Sequence, residues 1–275
     1  MKWQVLKVQE FLTKNNMPFM YEMKKEIKIF FTTLMFFTKI PCSKWVDRSP
    51  EYLNKSLRYL SLVGIIVGAI GGIVYLLSSF IFTHAIAILL SMISTIYITG
   101  GFHEDGIADT CDGFGGGWTK ENILRIMKDS RTGTYGVLGL FSVLALKFVS
   151  LYQMAPQQIL LVLITGHALS RFVASTLLYT HNYVREDAQS KAKSAAQRIS
   201  IGSLFIGALF GITPLIVFLH YYVFFLLIPV FVARWYLGRF FRRWIGGFTG
   251  DCAGATQQIC EVVFYLSLLI LWKFT

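Results

Sequence analysis

HAIAILLSMISTIYITGGFHEDGIADTCDGFGGG, His84 to Gly117, changes character at Gly100. Its first half is an apolar run close to the length that crosses a bilayer as a helix, about 20 residues. Its second half holds four carboxylates within nine residues, Glu104, Asp105, Asp109 and Asp112, in a chain of 275 residues with only 15 acids. A greasy segment that ends in scarce acids asks for two explanations, one for the grease and one for the charge.

Composition supplies the first. The chain is 55% hydrophobic and 15% charged, with mean hydropathy +0.56. Soluble domains carry roughly 25% charged residues. The deficit points to an all-α polytopic protein integral to a membrane. An aromatic content of 16% and 23 glycines suit the same reading. The formal charge of +11 has no soluble basic domain to carry it. It reads as the Lys/Arg excess of one membrane face and not as a nucleic-acid footprint, with some basicity left for a phosphorylated substrate. Cys42, Cys111, Cys252 and Cys260 form no CxxC pair, so neither zinc nor a redox couple is suggested. The N-terminal MKWQVLKVQEFLTKNNMPFMYEMKKEIK is basic and amphipathic without a long apolar core, which does not read as a cleavable signal peptide.

Seven segments approach spanning length: 61–82, 84–100, 135–153, 158–179, 200–219, 221–238 and 257–273. The run IKIFFTTLMFFTKIPC at 27–42 is shorter and flanked by Lys, so it is expected as an interfacial or re-entrant helix, with a full span as the alternative. No repeat or soluble boundary is visible, so residues 1–275 form one domain: a charged N-terminal region 1–60, then helices over 61–273. The long connections are 1–60, 101–134, 180–199 and 239–256. They hold eleven, four, four and three Lys or Arg. With seven alternating spans all four fall on one side, which the positive-inside rule makes cytoplasmic. The acids then face the cytoplasm.

Asp105, Asp109 and Asp112 lie at i, i+4 and i+7, one face of a helix. Like charges so arranged repel unless a cation sits among them. Mg²⁺ suits the pattern, because it takes one or two carboxylates together with waters and substrate phosphates. Gly115 and Gly116, in the run that follows, let backbone N–H groups turn toward an anion. In KDSRTGTYG, Lys128 to Gly136, Lys128 and Arg131 are candidates for holding phosphate. Asp129 either joins the metal or pairs with a neighbouring base, and Tyr135 is a further candidate, as is His103. Asp251 in GGFTGDCAGATQQ, Gly246 to Gln258, is the one acid of its loop. It is either a second metal ligand from another helix or a helix cap. In GHALSR, Gly166 to Arg171, His167 and Arg171 share a helix face inside a span, where an Arg lines a polar cavity, pairs with an acid or snorkels. Lys147 reads as a snorkelling or interface residue, and Glu261 is the one acid placed near mid-span.

FHEDGIADTCDGFGGG followed by KDSRTGTYG resembles the signature of the adenosylcobinamide-GDP ribazoletransferases, or cobalamin synthases. FFTTLMFFTKIP, GHALSR and GGFTGDCAGA extend the resemblance over nearly the whole chain in the expected order. Cys111 stands where a small residue such as Ala is common in that family, which argues against a required thiol. The resemblance implies an Mg²⁺-dependent enzyme of the prokaryotic inner membrane. Such enzymes join α-ribazole, or its 5′-phosphate, to GDP-activated adenosylcobinamide late in cobalamin assembly, and GMP leaves. It implies the acidic positions Glu104, Asp105, Asp109 and Asp112. Asp109, with Asp105 close behind, is then the expected base, and Lys128, Arg131 and Arg171 are expected to hold phosphate. The bilayer and the two substrates are the expected partners. Self-association and association with other cobalamin-assembly enzymes stay open. A CDP-alcohol phosphotransferase is the alternative enzyme, but its Asp-Gly…Ala-Arg motif is broken here, since Ala108 is followed by Asp109. An aromatic-substrate prenyltransferase lacks this Gly-rich frame. A divalent-cation transporter needs acids deeper in the spans.

Overall fold

The computed structural model describes residues 21–42, 44, 46–47, 49–185, 199–218 and 220–274. Most of the expected loop 180–199 and the first twenty residues lie outside them. Among the described residues there is no strand, only one parallel bridge between Tyr183 and Phe248. The helices are α1 (residues 21–37), α2 (Pro50–Ser56), α3 (Leu60–Ser79), α4 (His84–Thr99), α5 (Phe102–Gly116), α6 (Lys120–Ile126), α7 (Thr134–Tyr152), α8 (Ile159–Thr180), α9 (Ile201–Ile216), α10 (Leu227–Ile245) and α11 (Gly250–Phe274).

Each of the seven expected segments is helical, but the count of seven spans needs correcting. Among the described residues, five helical segments are long and apolar enough to cross a membrane: Glu51–Ser79, Thr134–Tyr152, Pro156–Thr180, Tyr221–Ile245 and Gly250–Phe274. Helices α4 and α9 have 16 residues each. At 1.5 Å per residue they rise about 24 Å, short of a hydrocarbon core of about 30 Å. A sixth crossing arises only if α4 and α5 count as one broken span, bent by 88°. Helix α11 begins at Gly250 and not near 257. Its first two turns are polar because they face other helices and not lipid.

Small residues let the helices approach. Gly64, Gly68 and Gly72 lie one turn apart on α3 and meet the backbone of α8 at His167, Leu163 and Leu160. Packing of this kind drives association where lipid removes the hydrophobic drive between helices. On the next face of α3, Ser91 Oγ of α4 donates to the Gly71 carbonyl (2.8 Å). Two apolar clusters fill the interior. One, at the far end, gathers Tyr75, Ile88, Leu151, Ile159 and Phe264. The other, beneath the charged loops, gathers Leu57, Val63, Ile123, Phe241 and Phe248. The outer belt carries exposed Phe80, Phe141, Phe205, Trp235 and Ile270, the surface a bilayer covers and water does not.

The break between α4 and α5 sets up the site. Gly100 and Gly101 are both left-handed, with φ of 70° and 71°. Consecutive left-handed residues are close to a glycine privilege. The Gly101 N–H reaches back to Ile96 O (2.9 Å) and the Gly100 N–H to Tyr97 O (3.1 Å), closing the end of α4. Helix α1 ends at residue 37, and the chain beyond it meets this corner. Lys39 N–H donates to Ile98 O (2.7 Å), and Lys39 Nζ lies 4.9 Å above the Tyr97 ring. At its other end α1 is held to α3 and its lead-in by Glu26, which accepts from Arg58 (2.6 Å) and Tyr59 (2.8 Å).

Candidate active site

After the corner, α5 lies across the N-terminal ends of α7 and α11 and is not one of the five spans. Its seat on α11 is made by glycines. Gly106 faces the backbone of Asp251 and Gly254, and Gly254 faces the backbone of His103. Its seat on α7 is made by an acid. Asp112 accepts from the N–H of Gly133 (2.6 Å) and of Gly136 (2.8 Å), the cap and first turn of α7. A Cβ at either glycine would collide with that carboxylate. The TGTYG stretch is therefore a socket for Asp112. A helix start leaves N–H groups without partners, and an acid there satisfies both them and the helix dipole.

The other acids divide by what they touch. Glu104 Oε1 accepts from Gln258 of α11 (2.9 Å), and its Oε2 is buried without a hydrogen-bond partner among the described residues. Asp251 forms an ion pair with Arg185 (2.7 Å), and Thr249 donates to the same carboxylate (3.4 Å). Asp105 is exposed and Asp109 half-buried, one turn apart, and neither accepts a hydrogen bond among the described residues. Burial first, then the charges of Asp105 and Asp251, push the Asp109 carboxyl up to about 7, against a smaller pull from Arg185.

This inventory bears on Mg²⁺. Among the described residues no group of three or more His, Cys, Asp or Glu side chains could hold a metal ion by itself. Asp112 is occupied as a cap and Asp251 as an ion-pair partner, so the five expected ligands are not assembled as one set. What remains is an open pair of hard oxygen donors, Asp105 and Asp109, with Asp251 across the helix contact. That donor set fits an ion completing its shell with water and substrate phosphate.

Beside Asp112 a polar cavity of about 290 Å³ is lined by Gly116, Arg125, Asp129, Arg131, Thr134 and Tyr135. It gathers Gly116, Arg131 and Tyr135 as expected from the sequence and adds Arg125. Arg131 donates to Asp129 (3.0 and 3.2 Å) and holds that carboxyl below the usual range. The Tyr135 ring covers Gly115. Lys128, at the end of α6, is exposed.

His167 and Arg171 are not brought to this face. Both are buried in α8, where Arg171 Nη1 donates to the His167 carbonyl (3.1 Å) and lies 2.9 Å from His167 Nδ1. They join a polar cluster inside the spans. Its centre is Glu261, paired with Lys147 (3.0 Å), 3.5 Å from His167, and accepting from Gln257 (2.7 Å) and Tyr265 (3.0 Å). Lys147 is therefore not snorkelling; it is 5% exposed and matched to an acid that is 1% exposed. His103 is buried and stacked on Phe37. Two residues of the site, Arg185 and Arg125, were visible in the sequence only as loop charge.

The cobalamin-5-phosphate synthase family model matches residues 29–269. The chain belongs to that family. Every acid of the candidate site lies inside the matched range. The chain is 47% identical over 248 residues to the adenosylcobinamide-GDP ribazoletransferase of Shewanella frigidimarina, covering 89% of this chain and 95% of the relative. It is 47% identical over 254 residues to that of Shewanella amazonensis (91% and 98%) and 47% identical over 249 residues to that of Shewanella oneidensis (90% and 95%). No solved structure matches the chain.

Proposed function

We propose that this chain transfers the adenosylcobinamide phosphate group from adenosylcobinamide-GDP to α-ribazole or its 5′-phosphate, in the presence of Mg²⁺ and with release of GMP. The acidic face would open to the cytoplasm from the inner membrane, as the Lys/Arg-rich connections favour. The names of the relatives support the reaction class. The observation that carries the site is the open Asp105–Asp109 pair on α5, beside an Arg-lined polar cavity.

The chemistry is a displacement at phosphorus. The nucleoside 3′-hydroxyl oxygen forms a bond to the cobinamide-side phosphorus. The bond from that phosphorus to the oxygen of GMP breaks, and the hydroxyl proton passes to a carboxylate. Transfers of this kind depend on positioning and charge stabilisation more than on covalent help from the protein. Asp105 and Asp109 would hold Mg²⁺, and the ion would supply neutralisation of the charge gathered on the leaving phosphate. Asp109, or Asp105 beside it, would take the hydroxyl proton; the value near 7 for Asp109 is that of the metal-free carboxyl, which a bound ion would lower. Arg125 and Arg131, which line the polar cavity, would hold the phosphates of the guanylyl end. Asp112 acts at one remove, by locking α5 to the start of α7.

Membranes carrying the chain, given adenosylcobinamide-GDP, α-ribazole 5′-phosphate and Mg²⁺, are expected to release GMP and form the corrin product. Asp109→Asn is expected to lower the rate by at least about 100-fold, the scale on which a positioned base acts. Folded protein that yields no product would overturn the reading.

A further inference from the structure

A second cavity, of about 120 Å³, lies between α1, the start of α5, α8 and α11. The proposed chemistry leaves it unused. Its walls are nearly all apolar and rich in rings. Phe37 and Phe102 meet edge to face at 5.6 Å, and Tyr183 and Phe248 meet edge to face at 5.7 Å. Gly250 and Gly254, which flank Asp251, form part of the same wall, so an occupant would lie alongside the acidic face. Arg171 also lines the cavity, and its Nε–H is buried with no hydrogen-bond partner among the described residues.

These features select an occupant. A phosphate would rest against phenyl rings with one partly engaged guanidinium to meet it. A purine would bury ring nitrogens and an exocyclic group without partners, at about 1–3 kcal/mol for each. The benzo ring of a benzimidazole leaves nothing unmatched there: it carries no polar atom, and its faces meet the aromatic wall. Dry apolar cavities of ~150 Å³ take a single arene ring. A fused two-ring base would therefore seat its inner ring and leave its ribosyl-bearing ring toward the acidic face. We infer that this cavity is the seat of the benzimidazole-type base of the ribazole acceptor, and that it sets which base is accepted. The inference rests on the proposed transfer reaction for the identity of its ligand.

Ala174 lies on the α8 wall and is buried. Ala174→Leu fills the cavity without touching the acids. In purified protein this variant is expected to raise KM for α-ribazole 5′-phosphate at least tenfold and to leave KM for adenosylcobinamide-GDP within twofold. Calorimetry with free benzimidazole, which needs no turnover, is expected to show binding to the unaltered chain and loss of binding in the variant. Parallel shifts in both KM values, no shift in either, or unchanged benzimidazole binding would overturn the assignment. Should Ala174→Leu not fold, the unaltered chain still decides. Benzimidazole is expected to compete with the ribazole substrate while adenine at the same concentration does not, and equal inhibition or none would overturn the proposal. Absence of all product together with intact benzimidazole binding would strike the transfer reaction and leave the cavity assignment standing.

Discussion

Asp109 meets two opposed demands. Its carboxyl titrates near 7 in the folded chain and near 3.9 in an unfolded one. The folded state therefore holds the proton more tightly, and this group's contribution to stability falls as pH rises from about 4 through about 7. The proposed Mg²⁺ site needs the ionised form, so the ion and protons would compete for it. The apparent Kd for Mg²⁺, followed by thermal shift, is expected to fall between pH 6 and pH 8. Asp109→Asn is expected to raise the Tm of metal-free protein at pH 8 by a few degrees while removing activity, and a lower Tm would show the carboxylate to be structurally matched. Asp112 should behave differently, because its partners are N–H groups. Asp112→Ala is expected to cost about 1–2 kcal/mol in chemical unfolding, the scale of a lost cap. Asp112→Asn, which keeps an acceptor oxygen, is expected to lose less and to leave Mg²⁺ affinity within a few-fold. A collapse of that affinity in Asp112→Asn would return Asp112 to the metal. The sequence displays all of these acids at helical spacing. It does not display their partners, because Gly133 and Gly136 belong to another helix and Arg185 to a loop that reads only as basic.

Helices α3 and α8 show what was legible at the next scale. The apolar runs mark both within two residues at most ends, since hydropathy reports contact with lipid directly. The start of α11 was missed by several residues because its first turns carry Asp251, Gln257 and Gln258, which face α5 and the buried cluster. A window average cannot see a helix whose polarity is spent on its neighbours. Helix α4 ends within one residue of the expected 84–100, where Gly100 and Gly101 turn the chain through a sharp corner. The glycine face of α3 gives a test. A side chain at Gly68 would strike the backbone of Leu163 and Ile164, whereas Gly202 at the start of α9 has open space. Gly68→Leu is expected to destabilise by about 3 kcal/mol or more, beyond the usual range for overpacking, and Gly202→Ala to have no measurable effect. Equal effects would mean the α3–α8 contact is looser than its geometry.

For the whole molecule, the Lys147–Glu261 pair ties α7 to α11 inside the spans. Lys147→Met alone is expected to cost about 3–5 kcal/mol by stranding a buried carboxylate, and adding Glu261→Gln to recover most of it. Failure of the second change to rescue the first would show that Glu261 answers mainly to His167 and the other residues around it. Orientation can be read by labelling. A cysteine at Thr119 is expected to react in inverted vesicles and not in intact cells, and one at Phe80 the reverse, if α4 and α5 together make the sixth crossing; labelling of both from the same side would show that they do not. The seat of α5 has a further bearing, on the order in which the chain is made. The carboxylates of α5 leave the ribosome well before the Gly133–Gly136 socket and long before Asp251 and Gln258. At roughly 5–20 residues per second, the stretch from Asp112 to Asp251 takes on the order of ten seconds or more to synthesise. During most of that interval α5 can rest on the start of α7 through Asp112 but has no α11 to complete its seat. The acidic face is thus among the last parts of the molecule to be completed, and a nascent chain interrupted before α11 would carry every acid of α5 without Asp251 or Gln258.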